Sequence, residues 1–168
     1  MLRYVPVVED APMPQPVASA VKQPTKAALA RYVRAHARVN LFDESGVCAG
    51  RVAIYGLSDP RYIRDVRYVG QTCAPPSRFL QHLSAARLWL PDALPWWLKS
   101  PRLRPLYGWI RELYSNDGRL PVMVISAWTL STKEARSAER TRIVECLRGG
   151  HDLFNIEKEF FGPDLLLL

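Results

Sequence analysis

Between residues 53 and 82, two apolar, strand-like stretches carry a tyrosine each, Tyr55 and Tyr68, and Arg78 and His82 follow. Tyrosine and histidine transfer protons, and arginine grips phosphate through a forked, charge-assisted contact. So dense a set of proton-handling and anion-binding groups asks which elements would bring them together. Arg51 to Leu57 is rich in apolar and β-favouring residues and predicts a strand carrying Tyr55. A polar turn with Pro60 leads to a second short strand, Val66 to Gln71, carrying Tyr68. After Pro75-Pro76 the period becomes helical to about Trp89. On that helix Phe79, Leu83, Ala86 and Leu90 form the buried stripe, with Arg78, His82, Ala85 and Trp89 on the line beside it. Arg78 and His82 thus lie on the shoulder of the stripe, where a cleft can form. Each residue also has an ordinary reading: strand tyrosines are commonly core or edge aromatics, and an arginine four residues before a histidine can be a surface pair.

Downstream, Leu103, Leu106, Tyr107, Ile110, Leu113 and Tyr114 follow a 3–4 spacing that predicts an amphipathic helix over 102–114, ended by Asn116-Asp117-Gly118. Val122 to Trp128 predicts a buried strand. Ser131 or Thr132 caps a further helix that runs to about Arg148 and is closed by Gly149-Gly150. On that helix Ala135, Ile143 and Cys146 define the apolar line, and Glu139 falls on it. A carboxylate on an apolar face is costly unless it meets a cation, which leaves a metal ion and a salt bridge to an arginine as alternatives. Between the helices, Pro91 to Pro101 is an irregular insert. Its adjacent Trp96 and Trp97 cannot both face one way, so at least one packs under the loop, with stacking on nucleic acid as the other use.

Taken in order, these landmarks resemble the GIY-YIG nucleases. Ala53-Ile54-Tyr55 and Tyr68-Val69-Gly70, with twelve residues between the tyrosines, are similar to the paired tripeptides that name the family. Ala53 replaces the first glycine and Val69 the isoleucine. Arg78-x-x-x-His82 is similar to its helix motif, and Glu134-Ala135 through Glu139 to Ile143 to its third-helix motif. Leu153-Phe154-Asn155 resembles its Leu-Leu-Asn ending. The resemblance implies a metal-dependent endonuclease acting on DNA, with one divalent cation, Mg²⁺ or Mn²⁺, on Glu139. It implies Tyr55 as the base that activates water, Arg78 on the non-bridging phosphate oxygens, and Tyr68 and His82 orienting them. Asn155 would support the site, and Gly70 would let the backbone pass close to it. One carboxylate holds one cation, which argues against a two-metal mechanism. The alternative is a non-catalytic nucleic-acid-binding module on the same fold, which predicts loss of Tyr55, Arg78 or Glu139; all three are present.

The expected fold is α+β: a small three-stranded antiparallel sheet (51–57, 66–71, 122–128) flanked by helices at 76–89, 102–114 and 133–148. The nuclease-like domain spans 51–157. Before it come a mobile Pro-rich segment, 1–24, and an amphipathic helix with linker, 25–50; a tail, 158–168, follows. The helix at 25–39 either docks on the domain or serves as a DNA-contacting arm, and Asn40 to Gly50 is a loop or an edge segment. Formal charge is +7 over 168 residues, and residues 51–111 alone carry a net +7 against +2 before and −2 after. That concentration favours a polyanionic partner. Arg64, Arg67, Lys99, Arg102 and Arg104 are the candidate nucleic-acid contacts, and a second copy or partner chain would add specificity. Cys48, Cys73 and Cys146 are odd in number and widely spaced, which argues against a disulfide framework or a cysteine-rich zinc site. With no signal-like or spanning apolar run, a soluble cytoplasmic protein without membrane partners is expected.

Overall fold

The computed structural model describes residues 25–46, 50–88 and 96–155. The Pro-rich segment 1–24, residues 91–95 of the 91–101 insert, Cys48 and the 158–168 tail lie outside the described residues. In chain order the elements are α1 (Lys26–Val39), β1 (Leu41–Asp43), β2 (Val52–Asp59), β3 (Tyr62–Thr72), α2 (Pro75–Ala85), a 3-10 turn (Trp96–Lys99), α3 (Arg104–Asp117), β4 (Val122–Thr129) and α4 (Thr132–Arg148).

The four strands form one sheet in the order β1-β4-β2-β3. β2 pairs antiparallel with both β3 and β4, as expected, but β1 adds to β4 in parallel. The fold is therefore α+β with a four-stranded mixed sheet, which corrects the expectation of a three-stranded antiparallel one. Three residues, Leu41-Phe42-Asp43, are too few for an alternating pattern to show, and only Leu41 is even half-buried. What recruits them is the open edge of β4, whose backbone groups need partners. Met123 N–H donates to Asn40 O at 2.8 Å, and Glu44 N–H to Ile125 O at 3.0 Å.

β2 is buried on both faces, which explains its near-continuous apolar run. Ala53, Tyr55 and Leu57 join a core with Phe79 and Leu83 of α2, Ile110 of α3 and Met123 and Ile125 of β4. Val52 and Ile54 join a second core with Val66 and Val69 of β3 and Ala135, Ile143 and Cys146 of α4. β3 starts earlier than expected because its first residues, Tyr62 and Ile63, stand 68% and 49% exposed at the hairpin tip and carry no burial signal. The tip is tied by Arg61, whose N–H and guanidinium both donate to the Asp59 carboxylate. α2 stops at Ala85 rather than near Trp89: Arg87 takes a φ of 52°, and Trp97 Nε1 donates to Ala85 O at 2.6 Å. Trp97 is 2% exposed, so at least one of the two tryptophans packs, as expected.

α1 docks on the domain, since Tyr32 O–H donates to Gly118 O at 2.8 Å and its ring meets Tyr114. At α4, Ser131 Oγ accepts from Glu134 N–H (3.2 Å) while Glu134 Oε2 accepts from Leu130 N–H (3.0 Å), a reciprocal N-terminal cap. No described helix is long and apolar enough to cross a membrane.

After α4 the chain runs back along the outer edge of β3. Phe154 N–H donates to Arg67 O, and the Asn155 amide both donates to Val69 O and accepts from Val69 N–H, each at 2.8 Å. One side chain thus satisfies both backbone groups of a residue that is wholly buried. Asn155→Ala leaves that donor and acceptor unpaired and is expected to cost roughly 1–3 kcal/mol in urea unfolding. A loss below about 0.5 kcal/mol, the range of an ordinary surface substitution, would contradict this role.

Candidate active site

The centre of the site is the Tyr55 hydroxyl. Tyr55 points from β2 into the α2 side of the sheet and is 0% exposed, so its polar tip must be satisfied internally. Two groups of α2 do this. Tyr55 Oη lies 2.8 Å from His82 Nε2, and Arg78 Nε donates to it at 3.2 Å. Spacing of four residues puts Arg78 and His82 on the same side of α2, one turn apart. His82 is itself 1% exposed, edge-on to the rings of both Tyr55 and Tyr68.

The third wall is an absence of side chain. Gly70 lies opposite Tyr55 across the β2–β3 pair, and a Cβ there would come within 2.6 Å of Tyr55 Oη and 2.9 Å of Tyr68 Cε1. The glycine is required because the backbone of β3 passes directly beside the phenol. Asn155, by gripping Val69, fixes that stretch of β3 from its outer edge.

On the other face of β3, half-buried Gln71 donates its Nε2 to Glu139 Oε2 at 3.1 Å. Glu139 thereby reaches across the edge strand toward the tyrosines, and its charge helps push both tyrosine pKa values upward. The open side of the site is formed by half-buried Tyr68, Gln71, Arg78 and Glu139.

Burial is the largest influence on the electrostatics. It drives Tyr55 well above the usual tyrosine value, with Tyr68 adding to it and Arg78 pulling back. Tyr68 is raised for the same first reason and is likewise opposed by Arg78. Half-burial weighs against the charge of Arg78, but its hydrogen bonds to Tyr55 and Tyr68 outweigh this and raise its pKa. His82 is lowered to about 3 by burial and by Arg78, so it is neutral throughout the working range.

Gln71 offers an observation on metal binding. Its Nε2 is committed to Glu139, while its buried Oε1 has no partner among the described residues. A hydrated cation on the Glu139 carboxylate would supply that oxygen with a water donor. Among the described residues no three His, Cys, Asp or Glu side chains converge. A cation on Glu139 would then complete its shell with water and substrate oxygen, as Mg²⁺ does. The residues present fit one hard divalent ion.

The structure brings Tyr55, Tyr68, Arg78, His82 and Glu139 together, with Gly70 and Asn155 behind them. The candidate nucleic-acid contacts are scattered by comparison. Lys99, Arg102 and Arg104 are exposed around the start of α3. Arg64 is exposed on β3, whereas Arg67 is engaged by Asp152 at 3.2 Å and stacks over Phe154. Two residues of the site escaped the sequence reading. Gln71 looked like an unremarked strand end. Tyr107 lay in the apolar stripe of α3, yet its ring meets His82 and its phenol lies within electrostatic reach of Arg78 and Tyr68. Its signal was the hydroxyl itself, which a purely packing position does not need.

No protein-family model, curated protein or solved structure matches the chain. Its function is therefore argued from the residues and their geometry.

The state of His82 has a consequence for stability. Its folded pKa, about 3, is below the ordinary 6.5, so as pH falls the unfolded chain takes up this proton first. The stability it contributes is complete above pH 6.5 and drains between 6.5 and about 3, by up to roughly 1.4 kcal/mol per pH unit. Urea unfolding across that window should show a shallower loss in His82→Gln than in the wild type. Parallel curves for the two proteins would contradict a buried neutral imidazole.

Proposed function

We propose that the chain is an endonuclease of the GIY-YIG type, hydrolysing phosphodiester bonds in DNA with a single divalent cation held by Glu139. The observation that carries this reading is the placement of the Tyr55 hydroxyl between Arg78 and His82, with Glu139 within electrostatic reach. A phenol, a guanidinium and a carboxylate so grouped meet the needs of phosphodiester hydrolysis: a base for water, a clamp on phosphate, and a seat for a cation. The net +7 carried by residues 51–111 supports a polyanionic substrate.

Arg78 has two tasks. Its Nε already donates to Tyr55 Oη, which favours the phenolate that a base requires; its remaining guanidinium edge, half-exposed, can meet the non-bridging oxygens of a phosphate. His82 is too weak a base to keep a proton near neutrality, so its part is to orient Tyr55 through the 2.8 Å contact. To act as base Tyr55 must first release its own proton to solvent; the phenolate, favoured by Arg78, then takes a proton from the attacking water, and Tyr68, half-buried on the open side, orients water or phosphate. Glu139 and Gln71 would hold the cation, which when bound supplies positive charge to the phosphate and acidifies nearby water.

The test is cleavage of supercoiled and linear DNA with and without Mg²⁺. Wild-type protein should cut only with the cation. Tyr55→Phe, which deletes one hydroxyl, and Glu139→Gln, which removes the ligand charge, should each lower single-turnover cleavage by about 100-fold or more with DNA affinity little changed. Wild-type turnover in either variant would remove that residue from the mechanism, and absence of cleavage by the wild type would overturn the reading.

A further inference from the structure

On the face of the sheet that α4 only partly covers, away from Tyr55, a second cleft of about 440 Å³ opens between the β2–β3 hairpin and α4. Clefts that take small ligands run from about 300 to 1,000 Å³. Its lining includes Ser58 and Arg64 from the hairpin, Ser126 from β4, Arg142 from α4 and a single acid, Glu44.

Three features distinguish it from an ordinary surface hollow. Ser58 is 1% exposed and its hydroxyl has no hydrogen-bond partner among the described residues, an unfavourable arrangement for a buried polar group. Two strand irregularities converge on it. The β2–β3 register shifts on both sides of Ser58, and the β2–β4 register shifts between Ile54 and Tyr55, where Ser126 is the unpaired residue of β4. Bulges of this kind re-aim side chains, and they occur next to functional sites. Finally, two arginines from separate elements meet there. Arg64 is exposed; Arg142 is half-buried and is tethered at 3.1 Å by Glu145, which leaves most of its fork uncommitted.

We infer that this cleft is a phosphate-binding site that takes a phosphate oxyanion with its attached sugar, clamped by Arg64 and Arg142 and accepting a hydrogen bond from Ser58. Guanidinium forks match phosphate oxygens, and a serine hydroxyl without another partner is a donor in waiting. The apolar wall of Ile63, Val66 and Val124 gives the sugar a surface to lie on. The oxyanion chemistry stands on the cleft alone. Its phosphate belongs either to a free nucleotide or to the strand being cut, and the second source rests on the nuclease reading. Arg142 stands three residues beyond Glu139 on α4, about one helical turn along the same helix. A strand held at Glu139 would therefore have a neighbouring phosphate near this clamp.

The experiment is an amide chemical-shift titration of the full chain with inorganic phosphate, a deoxynucleoside monophosphate and a short DNA strand in turn. Binding should move the amides of Gly56, Ser58 and Ser126. Arg64→Ala with Arg142→Ala should weaken phosphate binding at least about tenfold. Ser58→Ala should weaken it about threefold or more without lowering Tm, because it also removes an unpaired hydroxyl; a merely structural serine would lower Tm and leave affinity alone. Glu44→Gln should tighten binding by about twofold, as loss of a repelling charge. Shifts with the mononucleotide but not with the strand keep the site and assign it to a free nucleotide. Shifts with the strand assign it to the substrate. Unmoved amides with all three probes, or binding indifferent to both arginines, would overturn the site. A wild type that shows these shifts yet cuts no DNA would retire the nuclease reading and leave the cleft standing.

Discussion

The arrangement depends on one buried hydroxyl. Tyr55 has no exposed surface, and its phenol oxygen must be hydrogen-bonded or the fold loses stability. His82 and Arg78 meet the need, and both must then arrive from α2 at the right turn. The backbone of β3 must in turn approach with no Cβ in the way, which fixes Gly70. β3 holds that position because the Asn155 amide clamps it from outside. One polar atom in an apolar layer thus dictates the identity of residues on β2, β3, α2 and the segment after α4. The same constraint that orders the core concentrates the chemistry.

This also accounts for the division of labour between the tyrosines and the histidine. Burial raises both tyrosines and depresses the histidine, so at neutral pH the site holds neutral phenols and a neutral imidazole, with Arg78 and Glu139 acting on the tyrosines in opposite directions. Arg78 is the group that opposes burial at both tyrosines. A base made from Tyr55 would draw on Arg78 and on a cation at Glu139, and hydrogen-bond orientation is what remains for His82.

Much of this was legible in the residue order because its signals are local. Strand and helix periods placed Tyr55, Tyr68, Arg78 and His82 on adjoining elements, and Glu139 was conspicuous as a charge on an apolar line. What was not legible depends on contacts distant in sequence. β1 is held by the free edge of β4, some eighty residues away, and three residues carry no period of their own. Gln71 acquires meaning only when α4 brings Glu139 to it across 68 positions. Tyr107 matched the apolar stripe of α3 so well that its hydroxyl passed for decoration. The early end of α2 likewise comes from a partner outside the helix, Trp97 capping Ala85 O.

The central claim, that chemistry and packing meet at the Tyr55 hydroxyl, is tested most directly by Gly70→Ala. The added methyl group would fall 2.6 Å from Tyr55 Oη and must displace the phenol from Arg78 and His82, while every charged residue of the site stays in place. Single-turnover DNA cleavage and DNA affinity are measured side by side on the folded variant. The account predicts affinity within a few-fold of the wild type and cleavage slower by about 100-fold or more. Cleavage at the wild-type rate would contradict it.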